Sequence, residues 1–190
     1  MTIADGGIII VAQPRTGSTN LQKSICSYYK KKIIFEPNFM LEQVYDPNND
    51  VVKMFPYHPD QHNNTQDFDY DKILNKIKQF DTIILLNRRN KKEQTDSMYI
   101  VDRVHEGIYD DPWFDSQVNT EDKVYKRIYD YFTSADEIHE RIASDLNLEI
   151  NYYEDVFQHK KLNIDIGLDL VYFSKHFKLR NDSKQRKTLI

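Results

Sequence analysis

The sequence holds one cysteine (Cys26), one tryptophan and only five glycines in 190 residues. A lone cysteine excludes an internal disulfide framework and any zinc site built from several cysteines. There is no internal repeat and no low-complexity tract. No apolar run reaches the ~20 residues that a membrane span requires, so no membrane partner is expected. Met1 to Gly7 lacks a basic region ahead of its apolar run, and Ile8 to Ala12 is too short for a signal core. A cytoplasmic location follows as the expectation. An excess of positive charge is also missing: the formal net charge is −4, which argues against a general binder of nucleic acid. Aromatics are plentiful instead, with 13 tyrosines and 10 phenylalanines to fill a small core or supply stacking surfaces. The length fits one domain, residues 1–190, in which about 70% of the unfolded surface is covered on folding.

Gly7 to Ala12 is a continuous apolar run ahead of a Pro/Gly loop, the pattern of a strand buried on both faces. A helix is expected from Thr19 to Tyr29, then short strands at Ile33–Phe35 and Val51–Phe55, each closed by a proline-containing step. His58 to Asp69 is polar and reads as a mobile loop. Ile73, Leu74 and Ile77 give Tyr70–Phe80 a helical spacing, and Thr82–Leu86 is a second clear strand. Asn90 with Glu93 forms a capping pair for the next helix. Gly107 to Thr120 reads as a loop and Lys123 to Leu146 as one or two helices. Leu148–Tyr153 is a last strand, Leu168–Phe177 a last helix, and the tail from Leu179 is basic. Strands alternating with helices predict an α/β fold, in three layers around a mostly parallel sheet. Ligands in such folds lie beyond the carboxyl ends of the strands.

Two segments at strand ends carry anion-binding chemistry. Pro14-Arg15-Thr16-Gly17-Ser18-Thr19 joins the first strand to its helix. Gly17 permits a tight turn and a close backbone approach. The amides near Ser18 to Asn20 begin a helix, where the dipole favours an anion. Hydroxyls from Ser18 and Thr19 and the planar fork of Arg15 complete an oxyanion cradle. An ordinary strand–helix turn remains the plainer alternative. A Walker A loop is excluded, because Ala12 and Ser18 stand where its first glycine and its lysine belong. The second segment ends a strand in Arg88-Arg89-Asn90, with Ser97 eight residues after Arg89, about two helical turns on. Alone, it reads first as solvated arginines and an exposed serine.

Together these segments resemble the PAPS-dependent sulfotransferases, whose donor is 3′-phosphoadenosine-5′-phosphosulfate (PAPS) and whose product is PAP. The first resembles the family's 5′-phosphosulfate loop, with Arg15 where cytosolic members carry lysine. The resemblance implies that Arg15, Thr16, Gly17, Ser18, Thr19 and Asn20 bind the 5′-phosphate. Asn20 stands where members often place an adenine-stacking aromatic. The family's 3′-phosphate motif has a serine eight residues after an arginine, which implies that role for Arg89 and Ser97. Phe35-Glu36-Pro37 is similar to a segment of carbohydrate sulfotransferases, which implies Glu36 as base and a sugar hydroxyl as acceptor. Val52-Lys53-Met54-Phe55 is similar to the family's Lys-Thr-His strand, which implies that Lys53 contacts the transferring group. The family's catalytic histidine falls on Phe55, and His58 is the reserve base. Asn151-Tyr152-Tyr153-Glu154-Asp155 resembles the family's Tyr-Glu-Asp segment, which implies that Tyr153 contacts the nucleotide base. Arg186 and Lys187 are similar to a basic C-terminal segment that closes the cofactor site.

The resemblance implies a P-loop NTPase-like sulfotransferase architecture. It further implies transfer from PAPS to a small-molecule or carbohydrate acceptor, with no metal in the scheme and no nucleic-acid partner. A nucleotide kinase and a PAPS-binding module without activity are the alternatives.

Overall fold

The structure is a computed structural model that describes residues 6–35, 45–57, 68–108 and 118–158. The strands are β1 (Ile8–Ala12), β2 (Ile33–Phe35), β3 (Val51–Met54), β4 (Thr82–Asn87) and β5 (Ile150–Tyr152). The helices are α1 (Ser18–Tyr29), α2 (Tyr70–Ile77), α3 (Lys91–His105) and α4 (Lys123–Leu146), and a π-helical turn, Glu154–Gln158, follows β5. All four strand pairings are parallel and the order is β2-β3-β1-β4-β5. β1, apolar at every position, is central and buried throughout, as its unbroken run predicts.

The chain order decides where a ligand crevice opens. From β1 the chain moves to the β2 edge and returns through β3, whereas from β4 it moves outward to β5. The exits of the neighbouring strands β1 and β4 therefore diverge, and that is the switch point where open α/β sheets take ligands. Both anion-binding segments expected from sequence lie there.

Alternation along the strands assigns side chains to the two faces. Ile8, Ile10, Ala12, Ile84 and Leu86 pack with Leu21 and Ile25 of α1, together with Val156 and Phe157. Ile9, Val11, Val52, Met54 and Leu85 pack with Ile73, Leu74 and Ile77 of α2 and Ile142 of α4. The result is a three-layer α/β arrangement. A third cluster joins α3 to α4 through Tyr99, Tyr125, Ile128 and Phe132. There Tyr131 stacks on Tyr57 at 5.7 Å and donates its hydroxyl to the Tyr57 carbonyl at 2.8 Å, so α4 holds the chain leaving β3.

Several expected boundaries shift. The Tyr70–Phe80 pattern yields a helix only to Ile77, and Gln79 and Phe80 close it with turn hydrogen bonds. Lys123–Leu146 is one helix of 24 residues, begun by Asp122 accepting from the Val124 amide and ended by Asn147 in the left-handed region. Asn90 caps α3 by accepting from the Glu93 amide at 3.1 Å. β5 is shorter than the expected Leu148–Tyr153. Among the described residues, no helix is long and apolar enough to cross a membrane. The expected helix Leu168–Phe177, the basic tail and most of the two expected loops lie outside the described residues.

Two buried groups have strongly shifted proton affinities. Burial, reinforced by Asp50, pushes the Cys26 thiol up to about 12, so it is a core side chain and not a nucleophile. His139 in α4 is fully buried, and neither ring nitrogen finds a partner among the described residues. Burial lowers its pKa from 6.5 to about 4 even though Asp136 is near. The unfolded imidazole takes a proton below about 6.5, while the folded one resists until about 4. Stability from this group is thus whole above pH 6.5 and falls by about 3 kcal/mol as pH drops to 4. We expect His139→Leu to lose less stability than the wild type between pH 7 and pH 4.5 in urea titrations. Equal acid sensitivity of the two proteins would remove His139 from the account.

Candidate functional site: an anion cradle at the exits of β1 and β4

The loop after β1 is strained where it would meet a ligand. Arg15 adopts φ 64° and Gly17 φ 76°, a region that costs a residue with a Cβ roughly 1–2 kcal/mol. Three hydrogen bonds hold this shape. Thr16 Oγ1 donates to the Gln13 carbonyl at 2.7 Å, Gln94 Nε2 to the Pro14 carbonyl at 2.8 Å, and Arg88 Nη1 to the Arg15 carbonyl at 3.4 Å. Strain maintained by surrounding structure is a mark of functional sites. Gly17 precedes α1 and, among the described residues, no side chain caps that helix end, so its first turn is open to an anion. A Cβ on Gly17 would come within 2.5 Å of the Phe157 ring, so that position admits glycine alone on two counts.

The site residues expected from sequence divide into distinct groups. Arg15 Nε donates to Ser97 Oγ at 2.8 Å, so the two segments meet directly. Lys53 is almost fully buried in β3 and its Nζ donates to Thr19 Oγ1 at 2.8 Å, which brings a third strand end to the cradle. Thr16 is buried with its hydroxyl turned into its own loop, Ser18 is buried at the first turn of α1, and Asn20 is exposed. Arg89 does not join Arg15 and Ser97. Its guanidinium lies 4.1 Å from the Tyr152 ring centroid and donates to Asp155 Oδ2 at 2.6 Å. That carboxylate, through its hydrogen bond above all, raises the Arg89 pKa. Glu36, His58, Arg186 and Lys187 lie outside the described residues.

Sequence reasoning passed over Arg88. Its side chain is 13% exposed and lies 4.7 Å from the Tyr153 ring centroid. Tyr153 in turn packs on Phe157 at 4.9 Å, the ring that meets Gly17. Also missed was a polar cluster beneath the loop. Lys91 Nζ reaches Asp136 Oδ1 at 2.7 Å, Asn87 Oδ1 at 2.9 Å, Gln94 Oε1 at 3.0 Å and Gln13 Oε1 at 3.3 Å. Gln13 Nε2 and Asn87 Nδ2 donate to the same Asp136 oxygen at 2.6 and 2.8 Å. Burial lowers the Lys91 pKa, with Asp136 opposing. The cluster ties the loop after β1 to β4, α3 and α4. Its only trace in the sequence was polar residues at Gln13 and Asn87, where buried strands end.

Chemically, the exits of β1, β3 and β4 bring together the start of α1, Arg15, Lys53, Ser97 and Arg88, a set suited to a phosphate or sulfate ester. Comparison with known proteins finds no matching family model, curated protein or solved structure of significant similarity.

Proposed function

We propose that the chain is a sulfotransferase that moves a sulfuryl group from PAPS to a hydroxyl acceptor, within a P-loop NTPase-like architecture. The observation that carries this reading is the Arg15–Ser97 hydrogen bond at 2.8 Å. It joins two segments 82 residues apart in sequence, each of which resembles a donor-binding motif of that family. The strand order supports the reading as well, since it puts both segments at one switch point.

In this scheme the loop from Arg15 to Asn20 holds the 5′-phosphate. Ser97 takes the 3′-phosphate, and Tyr153 lies against the base. The acceptor oxygen attacks sulfur in line, the bond from sulfur to the 5′-phosphate oxygen breaks, and the bonding electron pair stays on that oxygen. Lys53 balances the charge that appears there. Glu36 takes the acceptor proton, with His58 in reserve. Phe35-Glu36-Pro37 points to a sugar hydroxyl as acceptor, and the location proposed is the cytoplasm.

The test is calorimetric titration with PAP, AMP, ADP and ATP. The 3′-phosphate adds charge-assisted hydrogen bonds of about 1.5–3 kcal/mol, so PAP is expected to bind roughly 10- to 100-fold more tightly than AMP. Preference for ATP with magnesium, accompanied by turnover, would replace the reading with a nucleotide kinase. Phe55, where the family's histidine falls, favours a second reading as a binding module without activity. Tight PAP binding with no transfer to any acceptor would establish that one.

A further inference from the structure

Four polar side chains next to the loop after β1 orient one another in a single order. An ammonium only donates hydrogen bonds, and a carboxylate only accepts them. Lys91 Nζ therefore meets the oxygens of Gln13 and Gln94, at 3.3 and 3.0 Å. Asp136 Oδ1 accepts from Gln13 Nε2 at 2.6 Å. With both amide oxygens turned to Lys91, Gln94 Nε2 faces the loop. It donates there to Gln13 Oε1 at 3.1 Å and to the Pro14 carbonyl at 2.8 Å. Gln13 and Gln94 are buried, so bulk water does not replace a lost partner.

The consequence falls on the peptide between Pro14 and Arg15. That peptide is trans, so its carbonyl and its N–H point to opposite sides. Gln94 holds the Pro14 carbonyl toward the buried cluster, which turns the Arg15 N–H away from it. The same peptide plane sets the start of the Arg15 backbone at φ 64°. It thereby sets the direction in which the Arg15 side chain leaves the loop to reach Ser97 at 2.8 Å. A residue with a Cβ keeps such a φ only where its surroundings impose it. Gln94 lies about one turn before Ser97 on α3, so the helix that carries Ser97 also shapes the loop that carries Arg15.

We propose that Gln94 is the positioning residue of the cradle: it fixes the Pro14–Arg15 peptide, and through it the grip of the loop on a ligand's 5′-phosphate. Lys91 and Asp136 act at one remove, by deciding which end of the Gln94 amide faces the loop. The assignment rests on the part of the PAPS reading that gives this loop a 5′-phosphate, and deepens it by naming a buried residue that governs the affinity.

The experiment is titration of the full chain at pH 8 with PAP and with AMP, which share the 5′-phosphate, for the wild type, Gln94→Glu, Gln94→Met and Tyr99→Phe. Gln94→Glu is close in shape and keeps an oxygen for Lys91, but its carboxylate has no donor for Pro14. It is expected to weaken PAP and AMP alike, by roughly tenfold, with their ratio within about threefold of the wild type. Tyr99 lies on the same helix and its hydroxyl bonds Asp122 at 2.9 Å. Tyr99→Phe is expected to lower the melting temperature and to keep both affinities within about twofold. In proton–nitrogen correlation spectra without nucleotide, the Arg15 and Gly17 amide signals are expected to move in Gln94→Glu and to stay in place in Tyr99→Phe. Should Gln94→Glu fail to fold, Gln94→Met is read by the same criteria. Wild-type affinities in a folded Gln94 variant, a changed PAP-to-AMP ratio, or an equal loss in Tyr99→Phe overturns the assignment and leaves the donor reading standing. A wild type that binds AMP as tightly as PAP overturns the donor reading alone, and one that binds neither overturns both.

Discussion

Lys91→Met is expected to destabilise the protein by about 2–3 kcal/mol, because it strands Asp136 in a partly buried cluster. For a chain of this size that is a drop of roughly 5–10 °C in melting temperature. Lys91 and Asp136 retain 22% and 25% side-chain exposure, which places the cost below that of a fully buried pair and well above that of a surface one. The ammonium has four oxygen partners, from Gln13 just after β1, Asn87 of β4, Gln94 of α3 and Asp136 of α4. Removing both charges relieves much of the penalty. Lys91→Met combined with Asp136→Leu is expected to be more stable than the sum of the single losses by about 1 kcal/mol or more. Differential scanning calorimetry on the three variants measures this. A single variant melting within about 2 °C of the wild type would show that the cluster contributes nothing net. Because Gln13 and Gln94 hold both this cluster and the loop after β1, loss of Lys91 should also loosen the cradle.

On the proposed sulfotransferase reading, turnover should fall by a factor on the order of 10² to 10³ in Lys53→Met, the usual effect of deleting a preorganised donor that meets developing charge. Affinity for PAP should stay within about threefold, since an interaction made mainly in the transition state lowers kcat and leaves binding of the product nucleotide largely alone. The structural ground is the place of Lys53 in the parallel sheet. It is 3% exposed in β3, directly beside Ile10 of β1, and its ammonium bonds Thr19 at the start of α1. A lysine so placed is not the solvated edge residue that its sequence neighbours alone would allow. Release of PAP from PAPS, with an acceptor on which the wild type turns over, measures the rate. Wild-type turnover in a folded Lys53→Met protein would take Lys53 out of the chemistry.

Much of the scaffold could be read directly from the chain. The unbroken apolar runs at Ile8–Ala12 and Thr82–Leu86 announce strands covered on both faces. The Asn90–Glu93 cap and the spacing of Ile73, Leu74 and Ile77 announce helices, because these signals are local. The loop Pro14–Thr19 could be marked as a candidate anion cradle for the same reason, since helix starts and glycine turns carry their chemistry within a few residues, whereas Ser97 was singled out only by its spacing from Arg89. The cluster around Lys91 was not legible. Its members are up to 123 residues apart, and each alone looks like a polar residue at the end of an element.

By itself the sequence determined the fold class, the elements and the two segments that bear anion-binding groups. The tertiary structure decided the strand order, which segments meet, and which of two adjacent arginines faces the cradle. The physical reason lies in the step of a strand. Spacing along the chain, such as the eight residues from Arg89 to Ser97, is blind to the side of the sheet a residue takes, and a shift of one residue reverses that side. Only the pairing of β4 with β5, which seats Arg88 on Tyr153 and Arg89 on Tyr152, distinguishes them.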